Sequence, residues 1–384
     1  MKKSLTIIAT ILFVMAGCER NKQAAGTIVT VDVTGSYPEK ELILQDFMDV
    51  EYIPLETTDE FITHGVVMDV GKEFIIVKNR INDGNIFFFD RKTGKAIRKI
   101  NRFGQGGEEY AYIAKIVLDE ASNELFVKHA KKISVYDLYG NFKRSFNFID
   151  TNSDYTNVFD YDRDNLIVYN NIGDGLIPDQ SSYHVIISKQ DGSITREIPI
   201  STKGNKTLVI FGENDEKAFP IFDAITLGFG NWILMNISSD TIYTYSPNDN
   251  IKPFIVRTPS VYSMDTEVFL FVEWVTDRYY FMTTMKKEID VETMKIPLIR
   301  LAYDKQEGTI FKYTIYNDDC TYKRPVFWTS SINHDIATWY PFQAPELTEA
   351  FEKGQLKGRL NEIAAELDEE SNPVIMLVKY KNNK

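Results

Sequence analysis

The runs HGVVMDV (64–70), EFIIVK (73–78), NIFFFD (85–90) and KAIRKI (95–100) are followed by YIAKIVL (112–118), ELFVK (124–128), ISVYD (133–137) and NFKRSFNF (141–148). One unit is written twice. Each copy is four short apolar or alternating runs separated by turn residues, the signature of β-strands. Phe74–Val77 and Leu125–Val127 are almost continuously apolar, as expected of strands buried on both faces. The third run of each copy leads into a turn with glycine near its end, Gly94 or Gly140, where a positive φ is least strained. Four strands in roughly 40–50 residues is the period of a propeller blade. A lone sheet cannot bury two apolar faces, whereas several stacked around an axis can.

The unit continues with a longer period. A third copy runs through 155–160, 165–170, 183–188 and 193–200. A fourth includes 232–237, 240–245 and 252–257. A fifth includes 267–273, 279–285, 297–303 and 309–316, and a sixth 326–330, 336–340 and 374–380. The expected fold is all-β, a six-bladed β-propeller of four-stranded blades, with five blades as the alternative count. Two early strands, TIVTVDV (27–33) and VEYIPL (50–55), precede the first full copy and are available to close the ring. No Pro- or Ser-rich linker interrupts residues 27–384, which predicts one domain. Between 344 and 370 the period changes: Leu347, Phe351, Leu360, Ile363 and Leu367 fall at helical spacing, while Gly354 and Gly358 predict a break between two short helices.

The first residues read differently. Lys2 and Lys3 precede an apolar stretch, 5–15, too short to span a bilayer comfortably, so 1–17 is expected to be a signal peptide. It ends in Met15-Ala16-Gly17-Cys18, which resembles the site where bacterial lipoproteins are cleaved and acylated on cysteine. Cys18 is then the lipidated residue, 18–26 a polar tether, and the location the cell envelope, with the outer membrane as the expected anchor. Cys320 is the other cysteine, so no disulfide staple is expected. The formal charge is −12, and losing Lys2 and Lys3 makes the mature chain more acidic still. That argues against nucleic acid as a partner.

VEYIPLE (50–56), FGQGGEEY (103–110), SDTIY (239–243) and NPV (372–374) occur in that order. Together they resemble motifs of the Bacteroidetes-type six-bladed β-propeller lipoproteins, distant relatives of NHL-repeat propellers. The resemblance spans nearly the whole mature chain. It implies a fold and an envelope address, and no reaction.

Catalytic signatures are sparse. Gly104, Gly106 and Gly107 are not followed by Lys-Ser/Thr or a helical segment, so they read as an inter-blade turn and not as a phosphate loop. Asp160-x-Asp162-x-Asp164 starts like a calcium loop but has Asn165 where glycine is needed, and a turn explains it. His64, His129, His184 and His334 are scattered and occupy different places in their units, so no metal site is expected. No cofactor motif is present. Arg102, Glu109 and Tyr110 stand where a strand lining the central channel is about to begin and are the first ligand-binding candidates. Arg324, Trp328, His334 and Trp339, in the least regular unit, are the second. The four tryptophans read first as wedge filling between blades and second as sugar-stacking surfaces. These readings point to a non-catalytic module that binds a glycan, a peptide or an envelope protein. The alternatives are an envelope lyase or hydrolase with its residues on the axis, and a structural scaffold within an envelope complex.

Overall fold

The computed structural model describes residues 28–148, 153–172, 182–211, 217–218, 220, 222–228, 230–290, 293, 295–326 and 332–381. The N-terminal strands are β1 (Val29–Asp32), β2 (Glu39–Ile43) and β3 (Met48–Pro54), with a single helical turn, α1 (Leu44–Phe47), between the last two. Six sheets follow. The first three are four-stranded meanders: Val66–Asn101, Lys115–Asn147 and Ser153–Ile198. The fourth runs from Ile225 to Thr258, the fifth from Val268 to Tyr316, and the sixth contains Ile336–Phe342 and Val374–Tyr380. First strands lie beside one another from blade one to two, two to three, four to five and six to one, around an axis. The fold is a six-bladed β-propeller.

The alternation inside the apolar runs explains the stacking. In the first blade Ile75, Val77, Phe87 and Phe89 pack against Ile375 and Leu377 of the sixth. Their neighbours Ile76, Ile86 and Phe88 point the other way, onto Ile116, Leu125 and Val127 of the second. The same alternation gives six buried clusters, one per interface between neighbouring blades. Six interfaces, not five, settle the blade count. Each fully buried Phe or Ile contributes about 1.5–3 kcal/mol by leaving water.

The early strands do two jobs. β3 closes the ring: it pairs antiparallel with Val374–Tyr380 in unbroken register from Val374↔Pro54 to Tyr380↔Met48. β1 and β2 were not needed for closure. Each adds as a parallel fifth strand on the outer edge, β1 along the fourth blade and β2 along the fifth. The N-terminal segment therefore runs over the rims of three consecutive blades, covering edges that would otherwise be open. The expected first run of the sixth unit, 326–330, lies mostly outside the described residues, as do residues 1–27 with Cys18. The helical stretch is α2 (Ala344–Glu352) and α3 (Gly358–Ala364), broken where the glycines predicted. Leu347, Leu360 and Ile363 bury against the fifth and sixth blades.

Neighbouring blades are also clasped by arginine. Arg98, Arg144 and Arg196 each stand four residues after a turn glycine. Arg98 donates to Leu138 O (2.7 Å) and Arg144 to Lys189 O (2.8 Å), both on the turn of the next blade. Arg196 pairs with Asp249 in the corresponding place.

Gly94 has φ +70°, and a Cβ there would lie 1.9 Å from the carbonyl oxygen of Pro54, at the end of β3. Gly230 has φ +69° with open space around it. Gly94→Ala and Gly230→Ala should each lose about 1–2 kcal/mol to backbone strain. Gly94→Ala should lose roughly 1–3 kcal/mol more because it pushes on the closing strand. Urea unfolding of the two variants checks this: equal losses would show that the contact with β3 is slack.

Candidate functional site

The first strand of a blade has a sheet neighbour on one side only, so its other edge faces the axis with unpaired backbone groups. Side chains from adjacent blades meet several of them. Asp69 follows a bulge in the first strand of blade one, and its Oδ2 accepts from Leu118 N of blade two (2.8 Å). Asn157 follows the bulge of blade three, and its Oδ1 accepts from Ala224 N beside blade four (2.7 Å). Thr226 of blade four donates to Glu273 O of blade five (2.8 Å). Asn333 donates to Val70 O of blade one (2.6 Å). The bulges re-aim Asp69 and Asn157 toward the hub.

A cavity of about 1000 Å³ opens at the C-terminal ends of the inner strands. Asp69, Asp119 and Asp160 from three consecutive blades stand on its wall. Lys189 is buried and bridges two of them, at 2.6 Å to Asp119 and 2.7 Å to Asp160. Glu120 accepts from the backbone N–H groups of Lys72, Glu73 and Phe74 (2.8–3.0 Å), knitting blade two to the turn of blade one. A Cβ on Gly71 would sit 2.1 Å from that carboxylate. Arg91 forks onto Glu51 of β3 (2.8 and 3.0 Å), and Lys379 reaches the same carboxylate. Over the mouth, the His334 ring meets the edge of Trp232 at 5.1 Å, and Tyr380 donates across to Leu227 O (3.0 Å).

Burial sets the electrostatics. Asp69 is pushed up to about 6 by desolvation, offset in part by the charge of Lys115. Asp160 is also raised, again chiefly by burial. Burial would raise Asp119 too, but hydrogen bonds from Lys189 and Ser122 N hold it below the usual carboxylate range. His334 reaches solvent through the mouth, yet enough protein surrounds it that burial lowers its imidazole and favours the neutral form.

Of the described residues expected to bind ligand, only His334 lines this cavity. Arg102 is exposed and donates to Gly140 O (2.8 Å). Glu109 accepts from Gly106 N (2.8 Å) and fills the space a side chain at Gly104 would need. Tyr110 is fully buried, accepting from Arg102 N and donating to Gly84 O. These three hold the loop between blades one and two, as the inter-blade reading of its glycines predicts. Arg324 stacks on Phe342 and pairs with Glu346 of α2. Trp339 packs against the cluster between blades six and one. Trp328 lies outside the described residues. Trp274 stacks on Phe281 at 4.1 Å inside a blade interface. Asp162 accepts from Asp164 N and Asn165 N, which makes 160–165 a turn. Among the described residues no three of His, Cys, Asp or Glu gather in a metal-holding arrangement. The cavity residues that sequence reasoning passed over left one signal: an aspartate at or next to the end of the first run in three successive units, VVMDV, KIVLD and NVFD.

A family described as a domain of unknown function, DUF4934, matches residues 28–379. The chain belongs to this family. In fold the chain is similar to a Bacteroides fragilis protein whose name marks it as exported, with TM-score 0.60 and 16% identity over 93% of this chain and 100% of that one. A Bacteroides vulgatus member of the duf4221 family aligns with TM-score 0.45 and 10% identity, covering 88% and 98% of the two chains. Staphylococcus aureus virginiamycin B lyase aligns with TM-score 0.32 and 11% identity, covering 69% and 98%. The last two are too distant in shape to inform the site. No curated protein matches the chain.

The folded-state value of Asp69 lies above the unfolded value near 4. Its neutral form therefore favours folding fully below pH 4, and that contribution drains away as pH climbs through about 6. Asp69→Asn should remove this component, so the variant should gain on the order of 2 kcal/mol relative to wild type between pH 4 and pH 8. Urea midpoints across that range test it: parallel pH profiles for the two proteins would place Asp69 in water.

Proposed function

We propose that this member of the DUF4934 family is a lipid-anchored binding module of the cell envelope, which takes a glycan or peptide into the axial cavity and releases it unchanged. One observation carries the reading. The cavity is large enough for an oligomeric ligand, and most of the carboxylates on its wall are engaged in holding blades together. Asp119 and Asp160 share Lys189, Glu120 caps a backbone turn, and Glu51 is held by Arg91 and Lys379. Groups so engaged give a rigid, pre-formed wall, which favours binding. Glu51, Asp119, Glu120 or Asp160 would have to break these contacts to move a proton as a general acid or base. The envelope address is supported by the lipoprotein-like segment ending at Cys18 and by the exported relative in fold. No described helix is long and apolar enough to cross a membrane, so the anchor in this reading is the lipid.

Two experiments test the proposal. A glycan and peptide screen on the fragment from Thr27 onward should yield ligands whose binding perturbs Trp232 fluorescence and weakens at least tenfold in His334→Ala. Turnover of a bound ligand, or binding indifferent to His334→Ala, would refute the binding reading or its location. In cells of the source organism, Cys18→Ala should move the protein from the membrane fraction to the soluble one; persistence on membranes would count against lipidation.

A further inference from the structure

Lys115 begins the first strand of blade two and reaches into the axial cavity. It is half-buried, and its ammonium lies over the Phe159 ring of blade three at 5.1 Å, a contact that positions the group without filling its hydrogen-bond donors. Among the described residues that ammonium has no hydrogen-bond or ion-pair partner, although the carboxylate of Asp69 is near enough to feel its charge. The aspartates of blades one to three on this wall are already held. Asp69 accepts from Val70 N and Leu118 N, while Asp119 and Asp160 are on Lys189. The other cationic groups of the wall are either paired, as Arg91 and Lys379 are with Glu51, or stand exposed at the rim, as Lys72 and Lys92 do.

We propose that Lys115 is the anchor point for the ligand of this cavity, and that the ligand carries a carboxylate there. This rests on the cavity being the binding site. A half-buried ammonium with three open donors facing a cavity is what a charge-assisted hydrogen bond from an incoming oxyanion completes. More acidic than basic side chains line the cavity, so a polyanion is repelled and a single carboxylate is the charge that one ammonium neutralises. Asp69 is still largely ionised at neutral pH, but burial raises it toward that range, so it takes up a proton more readily than an ordinary carboxylate as the anion arrives. The carboxylate could belong to a uronic acid or to a peptide C-terminus, and matched probes separate the two.

The test is calorimetry with a glucuronate-terminated disaccharide and its glucose counterpart, and with Ala-Ala-Ala and its C-terminal amide. One acidic probe should bind at least tenfold tighter than its neutral partner, with affinity falling as salt rises. Lys115→Gln should abolish that preference, and Lys115→Arg should retain it, with unchanged melting for both. Equal binding of the acidic and neutral members of both pairs would overturn the proposal, as would failure of both acidic probes to bind at millimolar concentration. If a screened ligand depends on His334 but not on Lys115, the cavity reading stands and this inference falls. If it depends on neither, both fall.

Discussion

Every blade in this protein has two apolar faces, and that one constraint dictates the rest. A strand such as Phe74–Lys78 sends Ile75 and Val77 to one side and Ile76 to the other, and each set needs a partner sheet. A linear stack would leave the two end sheets with one face in water. Curving the stack into a ring removes both ends, provided the last sheet meets the first. That meeting is made by β3, which pairs with Val374–Tyr380 along its whole length while carrying Ile53 into the interface with the first blade. The tight approach of Gly94 to Pro54 and the fork from Arg91 to Glu51 lie at the same seam.

Closing the ring creates a second problem at the hub. Sheets packed face to face leave the inner edges of their first strands pointing at the axis, and the backbone groups there need partners. Blades one, three and four and the turn at Asn333 solve it locally, each lending a side chain to its neighbour. These bonds leave the middle open, because each spans adjacent blades. The cavity is thus a by-product of how the edges are satisfied. Carboxylates stand on its wall for the same reason: Asp69 is there to accept an N–H, and desolvation raises its proton affinity.

The polar chemistry follows two patterns that a blade repeat makes natural. One is the arginine four residues past a turn glycine, which reaches the next blade three times running. The other is the aspartate closing the inner strand in three successive blades. Both bind blade to blade. Against that background Lys115 stands apart, since its contacts with Phe159 and with the field of Asp69 position the charge and leave its donors open toward the cavity.

The fold was legible in the residue order because it rests on local rules. Strand runs, turn glycines and a repeating period of four strands are written along the chain, and so is the change of period at Leu347–Leu367. The site was not legible in the same way. Tyr110 and Glu109 stand next to an inner strand in sequence, yet the loop folds back on itself and buries the tyrosine. Asp69, Lys115, Trp232 and His334 belong to four different blades and come together only when the ring closes. Likewise the pairing of β1 and β2 as parallel outer strands depends on a path over the rims that no short-range pattern encodes. What the sequence alone determined is the repeating sheet and its need for neighbours, since alternation along a strand is a matter of adjacent residues. What only the tertiary structure decided is which side chains face the axis and which of them are left with an open valence, because that depends on contacts between residues dozens to hundreds of positions apart.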